Sequence, residues 1–251
     1  MRIHAHESAS ITLVIRGAFE EESAFGSIRA GVGDCVIKPP GVPHADYFGE
    51  CETTTLQIAI PGGAQVLRDD GDFAHCSYRC GSNTRLAPVL FNILSILRNP
   101  NGPSHGPQLS DLIFDALGVA ATHTSRIPAT RPSWLVRVEN EIRRSLPGTT
   151  RVAGLAETVG VHPVHMARVF QRVHGCGVVE YVRRLRVQYA ADSIARCRTP
   201  LCETALDAGF YDQPHLNRAF RRQLGVSPAR YRRLAEVRAD SKPFPAPLSR
   251  A

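Results

Sequence analysis

The chain has 251 residues, 43% of them hydrophobic and 21% charged, which fits a folded protein of one large or two modest domains and excludes a fibrous or wholly disordered chain. No run reaches the roughly 18 to 20 apolar residues that a membrane-spanning helix needs, and residues 1–10 are too polar and His-rich for a signal peptide, so a cytoplasmic location without a membrane partner is expected. The formal charge of +7 is unevenly placed: residues 131–238 hold 19 Arg, no Lys and 9 acids, for +10, whereas residues 1–130 hold 9 basic and 13 acidic groups, for −4.

A basic half attached to an acidic one points to a polyanion partner for the basic half alone, because release of counterions from phosphates is what such an excess drives. A solvated basic face would look the same by charge. The seven cysteines are odd in number and never form C-x-x-C, which argues against a disulfide framework and against a zinc ribbon. Cys76 with Cys80, and Cys197 with Cys202, are spaced as redox pairs would be, but incidental thiols are the commoner finding and no role is assigned to them.

In chain order, short β-rich runs come first. Residues 11–15 precede Gly17, residues 34–37 follow Gly31-Val32-Gly33, and residues 53–60 precede Pro61-Gly62-Gly63, a pattern that predicts a small antiparallel barrel or sandwich over about 1–65. The period then changes. Leu86, Val89, Leu90, Ile93, Leu94 and Leu97, and then Leu109, Leu112, Ile113, Ala116 and Leu117, recur at helical spacing and predict two amphipathic helices within about 84–120. Residues 125–133 read as a linker and 239–251 as a disordered tail.

Between linker and tail the sequence resembles itself at an offset of 49 to 50 residues. Ala156-x3-Gly160 returns as Ala205-x3-Gly209; Met166, Arg168 and Phe170 return as Leu216, Arg218 and Phe220; Gly175 and Tyr181 return as Gly225 and Tyr231. Each copy reads as helix, tight turn, helix, with the Ala allowing close helix approach and the Gly supplying a left-handed turn. His162-Pro163 opens the second helix of copy one and Asp212 caps that of copy two. Met166, Val169 and Phe170, and in turn Leu216 and Phe220, face inward. That leaves Val164, Ala167, Arg168 and Gln171, and Gln213, Asn217, Arg218 and Arg221, facing outward. Outward Gln, Asn and Arg are what reading base edges in a major groove requires: Arg pairs with guanine O6 and N7, and Asn or Gln with adenine N6 and N7. A polar face with no partner is the plain alternative for one such unit; duplication on a basic background favours DNA.

From about Trp134 to Arg233, and most specifically over 208–222 and 225–232, the chain resembles the AraC/XylS transcription regulators. The resemblance implies two helix-turn-helix units joined by a long helix, in which Tyr181, Arg186 and Ala190 occupy family positions. It also implies two recognition helices in major-groove segments about one turn, roughly 34 Å, apart. It places base contacts on Val164, Ala167 and Arg168 in the first helix and on Gln213, Pro214, His215, Asn217 and Arg218 in the second. Gln171 and Arg221 extend these faces, and Arg172, Arg183 and Arg222 are phosphate candidates. The departures are His162 in place of a Ser cap, Thr204 in place of an apolar residue, and the weak hydrogen-bonding capacity of Val164 and Ala167; the first helix is therefore expected to read thymine methyls or to position the protein.

In the first half, Gly33-x5-Pro39-x-Gly41-x2-His44 is similar to the second motif of the cupin barrels. His4-x-His6-x3-Ser10-x6-Gly17 is similar to the first, with Ser10 where a metal-binding Glu is expected. Three imidazoles suit Zn, Fe or Ni; the alternative is a pocket in which His4, His6 and His44 cap strands or bind an organic effector, and no cofactor is the expectation. His4 lies close to Met1, which leaves room for a lost upstream strand.

The fold class expected is α+β multidomain. Residues 1–124 form a cupin-like sensing and dimerisation domain, a small antiparallel β-barrel with two helices; residues 125–133 are the linker; residues 134–238 form an all-α domain of two helix-turn-helix units joined by a long helix. The expected function is sequence-specific regulation of transcription without enzymatic activity. The expected partners are double-stranded promoter DNA, a small-molecule effector, RNA polymerase and a second copy of the chain. A metal-dependent cupin enzyme with a basic appendage and a sequence-blind architectural protein are the rivals.

Overall fold

The computed structural model describes residues 3–24, 26–49, 52–60, 79–82, 85–99, 106–122, 132–146 and 152–236. Among the described residues seven strands come first: β1 (Ala9–Arg16), β2 (Ala18–Ser23), β3 (Gly26–Gly31), β4 (Asp34–Lys38), β5 (His44–Phe48), β6 (Thr54–Ile60) and β7 (Arg79–Ser82). They form two antiparallel sheets, ordered β6-β1-β4-β7 and β3-β2-β5. Among the described residues the sheets share no ladder, so the expected small barrel is an open arrangement of two sheets. β7 lies beyond the expected limit near residue 65. It pairs with the edge of β4 from Ile37↔Arg79 to Asp34↔Ser82 through backbone bonds, which need no apolar pattern in the sequence.

The alternation of side chains along β1 and β4 makes three layers. Ile11, Leu13 and Ile15 of β1 and Cys35 and Ile37 of β4 face the helices, whereas Val14 and Val36 pack with Phe19 and Ala30 of the smaller sheet. A strand covered on both faces reads as a continuous apolar run, and β1 is buried from Ala9 to Ile15.

The helices are α1 (Leu86–Leu97), α2 (Gly106–Thr122), α3 (Ser133–Ser145), α4 (Val152–Val159), α5 (Pro163–His174), α6 (Val178–Arg196), α7 (Leu201–Asp207), α8 (Gln213–Leu224) and α9 (Pro228–Ala235). The expected linker extends two residues too far: Pro132 is the N-cap of α3 and Ser133 its first residue. The rest of that segment and the expected tail lie outside the described residues. No described helix is long and apolar enough to cross a membrane.

Two separate cores hold the helical half. The first unit, α3 to α5, closes around Leu135, Val138, Ile142, Leu155, Met166 and Phe170 with Val178, Val182 and Leu185 from the start of α6. The second unit, α7 to α9, has no core of its own. Leu216, Phe220, Leu224, Tyr231 and Leu234 join Val187, Ala190 and Ile194 from the end of α6, the helix α1 and the inner faces of β1 and β4 in one cluster. α6 therefore buries different residues at its two ends because each end faces a different core.

Polar contacts pin α6 and α9 to the sheet and to the end of α1. The Tyr231 hydroxyl donates to the Ile15 carbonyl at 2.6 Å, the Gln188 amide donates to Asp34 at 2.9 Å, and the Arg98 guanidinium donates to the carbonyls of Leu234 and Glu236. Gly33, at φ +80°, makes the close approach possible: a side chain there would collide with Leu224 of α8.

Candidate nucleic-acid interface

Both helix-turn-helix units are built from the same local parts. In each turn a glycine takes the left-handed conformation, Gly160 at φ 69° and Gly209 at φ 77°. The following N–H closes back on the small Ala: Val161 N donates to Ala156 O at 3.1 Å and Phe210 N to Ala205 O at 2.9 Å. The unusual His162 is a working cap, its Nδ1 accepting the Val164 N–H at 3.3 Å. Asp212 accepts the His215 N–H at 2.6 Å at the start of α8. Thr204, the other departure, is fully buried and satisfies its hydroxyl by donating to Pro200 O at 3.2 Å, so a polar group sits in an apolar position without an orphaned donor.

The inward and outward faces follow the sequence reading. Met166, Val169, Phe170, Leu216 and Phe220 are buried. Val164, Ala167, Arg168, Gln171 and Arg172 of α5 are exposed, as are Pro214, Arg218, Arg221 and Arg222 of α8; Gln213, His215 and Asn217 are partly covered. Two residues are less free than the sequence suggests. The His215 ring lies edge-on to Phe210 at 5.1 Å, so part of its surface is spent on packing. Arg183 is paired with Glu180 one turn before it on α6, so a phosphate would compete with a carboxylate for that guanidinium.

The first unit also carries a hydrogen bond between α3 and α5 that periodicity does not reveal. His174 Nε2 meets Glu139 Oε1 at 2.8 Å, and the His174 ring stacks against Phe170 and Tyr181 at 4.4 and 4.5 Å. Arg143 donates to the Tyr181 hydroxyl at 3.1 Å, so α3 is tied to both α5 and α6.

In the other half, the three expected histidines do converge. Their ring centroids are 4.4 Å apart for His4 and His44, 5.0 Å for His4 and His6, and 5.3 Å for His6 and His44. Backbone bonds hold the N-terminal arm there: His4 and His44 exchange N–H···O bonds at 2.9 Å, and Gly41 N donates to His6 O at 2.8 Å. The sequence reading missed Lys38, Glu21 and Asp46. Glu21 lies opposite Asp46, and Ser23 opposite His44, in the β2–β5 ladder, so alternation puts all four on one face. Lys38 Nζ enters from the other sheet and sits 3.0 Å from both Glu21 Oε2 and His44 Nε2. The inward step from Phe19 to Glu21 in β2 was the available signal.

His44 Nδ1 lies 2.9 Å from the Val42 carbonyl, which can only accept, so Nδ1 carries the proton and Nε2 offers its lone pair to Lys38. Burial, and after it the neighbouring Lys38 and His4 charges, pull His44 below the ordinary imidazole value, against the Val42 bond and Asp46. Burial lowers His6 as well, with His4 and Lys38 adding to it. The cupin resemblance implies a metal at this place. The donor set does not fit one as it stands, because the Nε2 lone pair a metal would need is already taken by an ammonium.

The family model described as Helix-turn-helix domain matches residues 155–234. The chain is 28% identical over 144 residues, 52% of its length and 47% of the relative's, to a protein of Streptomyces lividans described as an AraC-like transcription regulator. It is 30% identical over 91 residues, 36% of its length and 67% of the relative's, to the HTH-type transcriptional activator AarP of Providencia stuartii. Among solved structures, the DNA-binding domain of the global transcriptional factor AdpA in complex with a target DNA covers 41% of this chain and 92% of that one, at 27% identity and a TM-score of 0.38. The chain spans about half the length of the first curated relatives it matches. The duplicated unit, its two capped second helices, the family model and the two curated relatives agree: the chain belongs to the AraC/XylS family of helix-turn-helix regulators.

Proposed function

We propose that this protein is a sequence-specific DNA-binding regulator of transcription, with residues 134–238 as the DNA-binding domain, residues 1–124 as a cupin-like sensing domain, and no catalytic role. The observation that carries the reading is the pair of second helices, α5 and α8, each with its apolar face buried while Arg168 or Arg218 stands exposed at the same repeat position. Arg168 and Arg218 reach base edges, with Val164, Ala167 and Gln171 beside the first and Gln213, Pro214, Asn217 and Arg221 beside the second; Arg172 and Arg222 contact phosphates. His215 contributes mainly by bracing α8 on Phe210. The named relatives, an AraC-like regulator and a transcriptional activator, support this reading.

The cluster of His4, His6 and His44 with Lys38, Glu21 and Asp46 is the candidate site for a small polar effector, and its coupling to DNA runs through the core that the sheet shares with α7 to α9. A cytoplasmic location, RNA polymerase as a partner and a homodimer belong to the same proposal.

Selection of preferred duplexes from a random library tests it, using the full chain because the second unit's core is completed by the sheet. Enrichment of two short elements about one helical turn apart is expected at near-physiological salt. Binding without enrichment would replace the reading with that of an architectural protein.

A further inference from the structure

Two donor groups overlap in the sheet half: His4, His6 and His44 bring ring nitrogens within 4.8 Å of one another, and Glu21, His44 and Asp46 do the same with one imidazole shared. Three imidazoles and a carboxylate are a sufficient donor set for a divalent transition metal. At the point where these groups converge, however, stands the Lys38 ammonium, 3.0 Å from His44 Nε2 and 3.0 Å from Glu21 Oε2. Lys38 is only 7% exposed and Glu21 is fully buried. A lysine is held this deep only where carboxylate and lone-pair acceptors replace its water. Its cross-strand neighbour is Ser10, by the register Ser10↔Lys38. Ser10 is 3% exposed, and its hydroxyl has no hydrogen-bond partner among the described residues. The chain has thus set a short neutral side chain and a fixed positive charge where an acid and a metal would otherwise stand.

We propose that Lys38 is a resident cation that takes the place of a metal at this cluster, and that removing its charge uncovers a divalent metal site formed by His4, His6, His44 and Glu21. The bond from Lys38 to His44 Nε2 and a bond from that nitrogen to a metal use the same lone pair, so the two occupants exclude each other.

Cobalt(II) titration of the full-length protein, read by its visible ligand-field bands and by thermal unfolding, tests this. Wild type is expected to show no tight uptake. Lys38→Met, which keeps side-chain length without charge, is expected to bind one cobalt at least 100-fold more tightly and to gain several degrees of thermal stability on binding. Lys38→Arg keeps a cation in place and is expected to behave as wild type. Lys38→Met/His44→Ala is expected to lose the bands. Because Lys38→Met leaves Glu21 buried without its ammonium, Lys38→Met/Glu21→Gln serves as the variant that folds without metal; it is expected to bind through the three histidines, more weakly than Lys38→Met but at least tenfold more tightly than wild type. Cobalt uptake by wild type as tight as by Lys38→Met, or a folded double variant that binds no better than wild type, overturns the proposal.

Discussion

The two helix-turn-helix units share a sequence pattern and differ in what completes them. The first closes a core from its own helices and the start of α6, with the Glu139–His174 pair as an internal brace. The second gives Leu216, Phe220, Leu224 and Tyr231 to a core that also contains β1, β4 and α1. A duplicated motif has therefore been put to two structural uses. One unit is self-contained on the end of α6; the other is an extension of the sheet half, so in the proposed regulator a rearrangement of the sheet would reach the second DNA-reading head directly and the first only through α6.

The largest effect should separate the two cores. Phe170 and Phe220 hold the same repeat position and are both fully buried, so truncation of either to Ala is expected to cost about 3 to 5 kcal/mol. The difference lies in where the damage goes. Hydrogen exchange of Phe170→Ala should show lost protection in α3 to α5 with the sheet still protected, while Phe220→Ala should lose protection in α8, α1 and β1 together. Equal loss throughout the chain in both variants would show a single cooperative core and end the comparison.

The heads should also differ in what they read. Arg218→Ala is expected to cost about 1 to 3 kcal/mol of binding to the selected duplex and to relax base preference at one position. Arg168→Ala, on a helix whose neighbours are Val164 and Ala167, is expected to weaken binding at the lower end of that range and to relax base preference less than Arg218→Ala does. Unchanged selectivity in Arg218→Ala would remove that arginine from the base-reading set. A smaller effect, about 1 to 2 kcal/mol, is expected for Tyr231→Phe, which leaves the buried Ile15 carbonyl without its donor. Urea unfolding measures it, and the loss should be confined to the second unit and the sheet.

Much of this was legible in the sequence because the helical half repeats itself. Ala156 and Gly160 against Ala205 and Gly209, and the caps His162 and Asp212, mark helix ends by local chemistry that tertiary context does not override. The strands β1, β4 and β6 were legible as apolar runs. β2 and β5 were not, because Glu20, Glu21 and Glu22 hide a buried carboxylate between two exposed ones, and only the ladder opposite Asp46 shows which is inside. The same gap hid half of the histidine cluster: three histidines announce themselves by type, whereas Lys38 and Glu21 are common residues whose meaning comes from a 3.0 Å contact between separate sheets. The union of the helical half with the sheet depends on contacts such as Gln188 to Asp34, 154 residues apart, for which no local pattern exists.

That last contact gives the sharpest probe of the seam between α6 and the sheet. Burial pushes the Asp34 carboxyl up to about 6, with the Gly31 N–H, the Gln188 amide and the more distant Arg184 and Arg143 charges opposing it. The unfolded chain releases this proton near pH 4, so between about pH 4 and pH 6 the folded state holds a proton that the unfolded state has lost. The contribution of protonated Asp34 is therefore complete below pH 4 and is lost as pH rises through 6, by about 1 to 3 kcal/mol. Asp34→Asn stays neutral throughout and keeps an oxygen for the Gly31 N–H. Its stability relative to wild type should be level below pH 4, climb between pH 4 and 6, and stay above wild type at pH 7.5, as read by urea unfolding at each pH. A difference that does not change with pH would mean that Asp34 is solvated at the seam and that its charge has no part in holding α6 to the sheet.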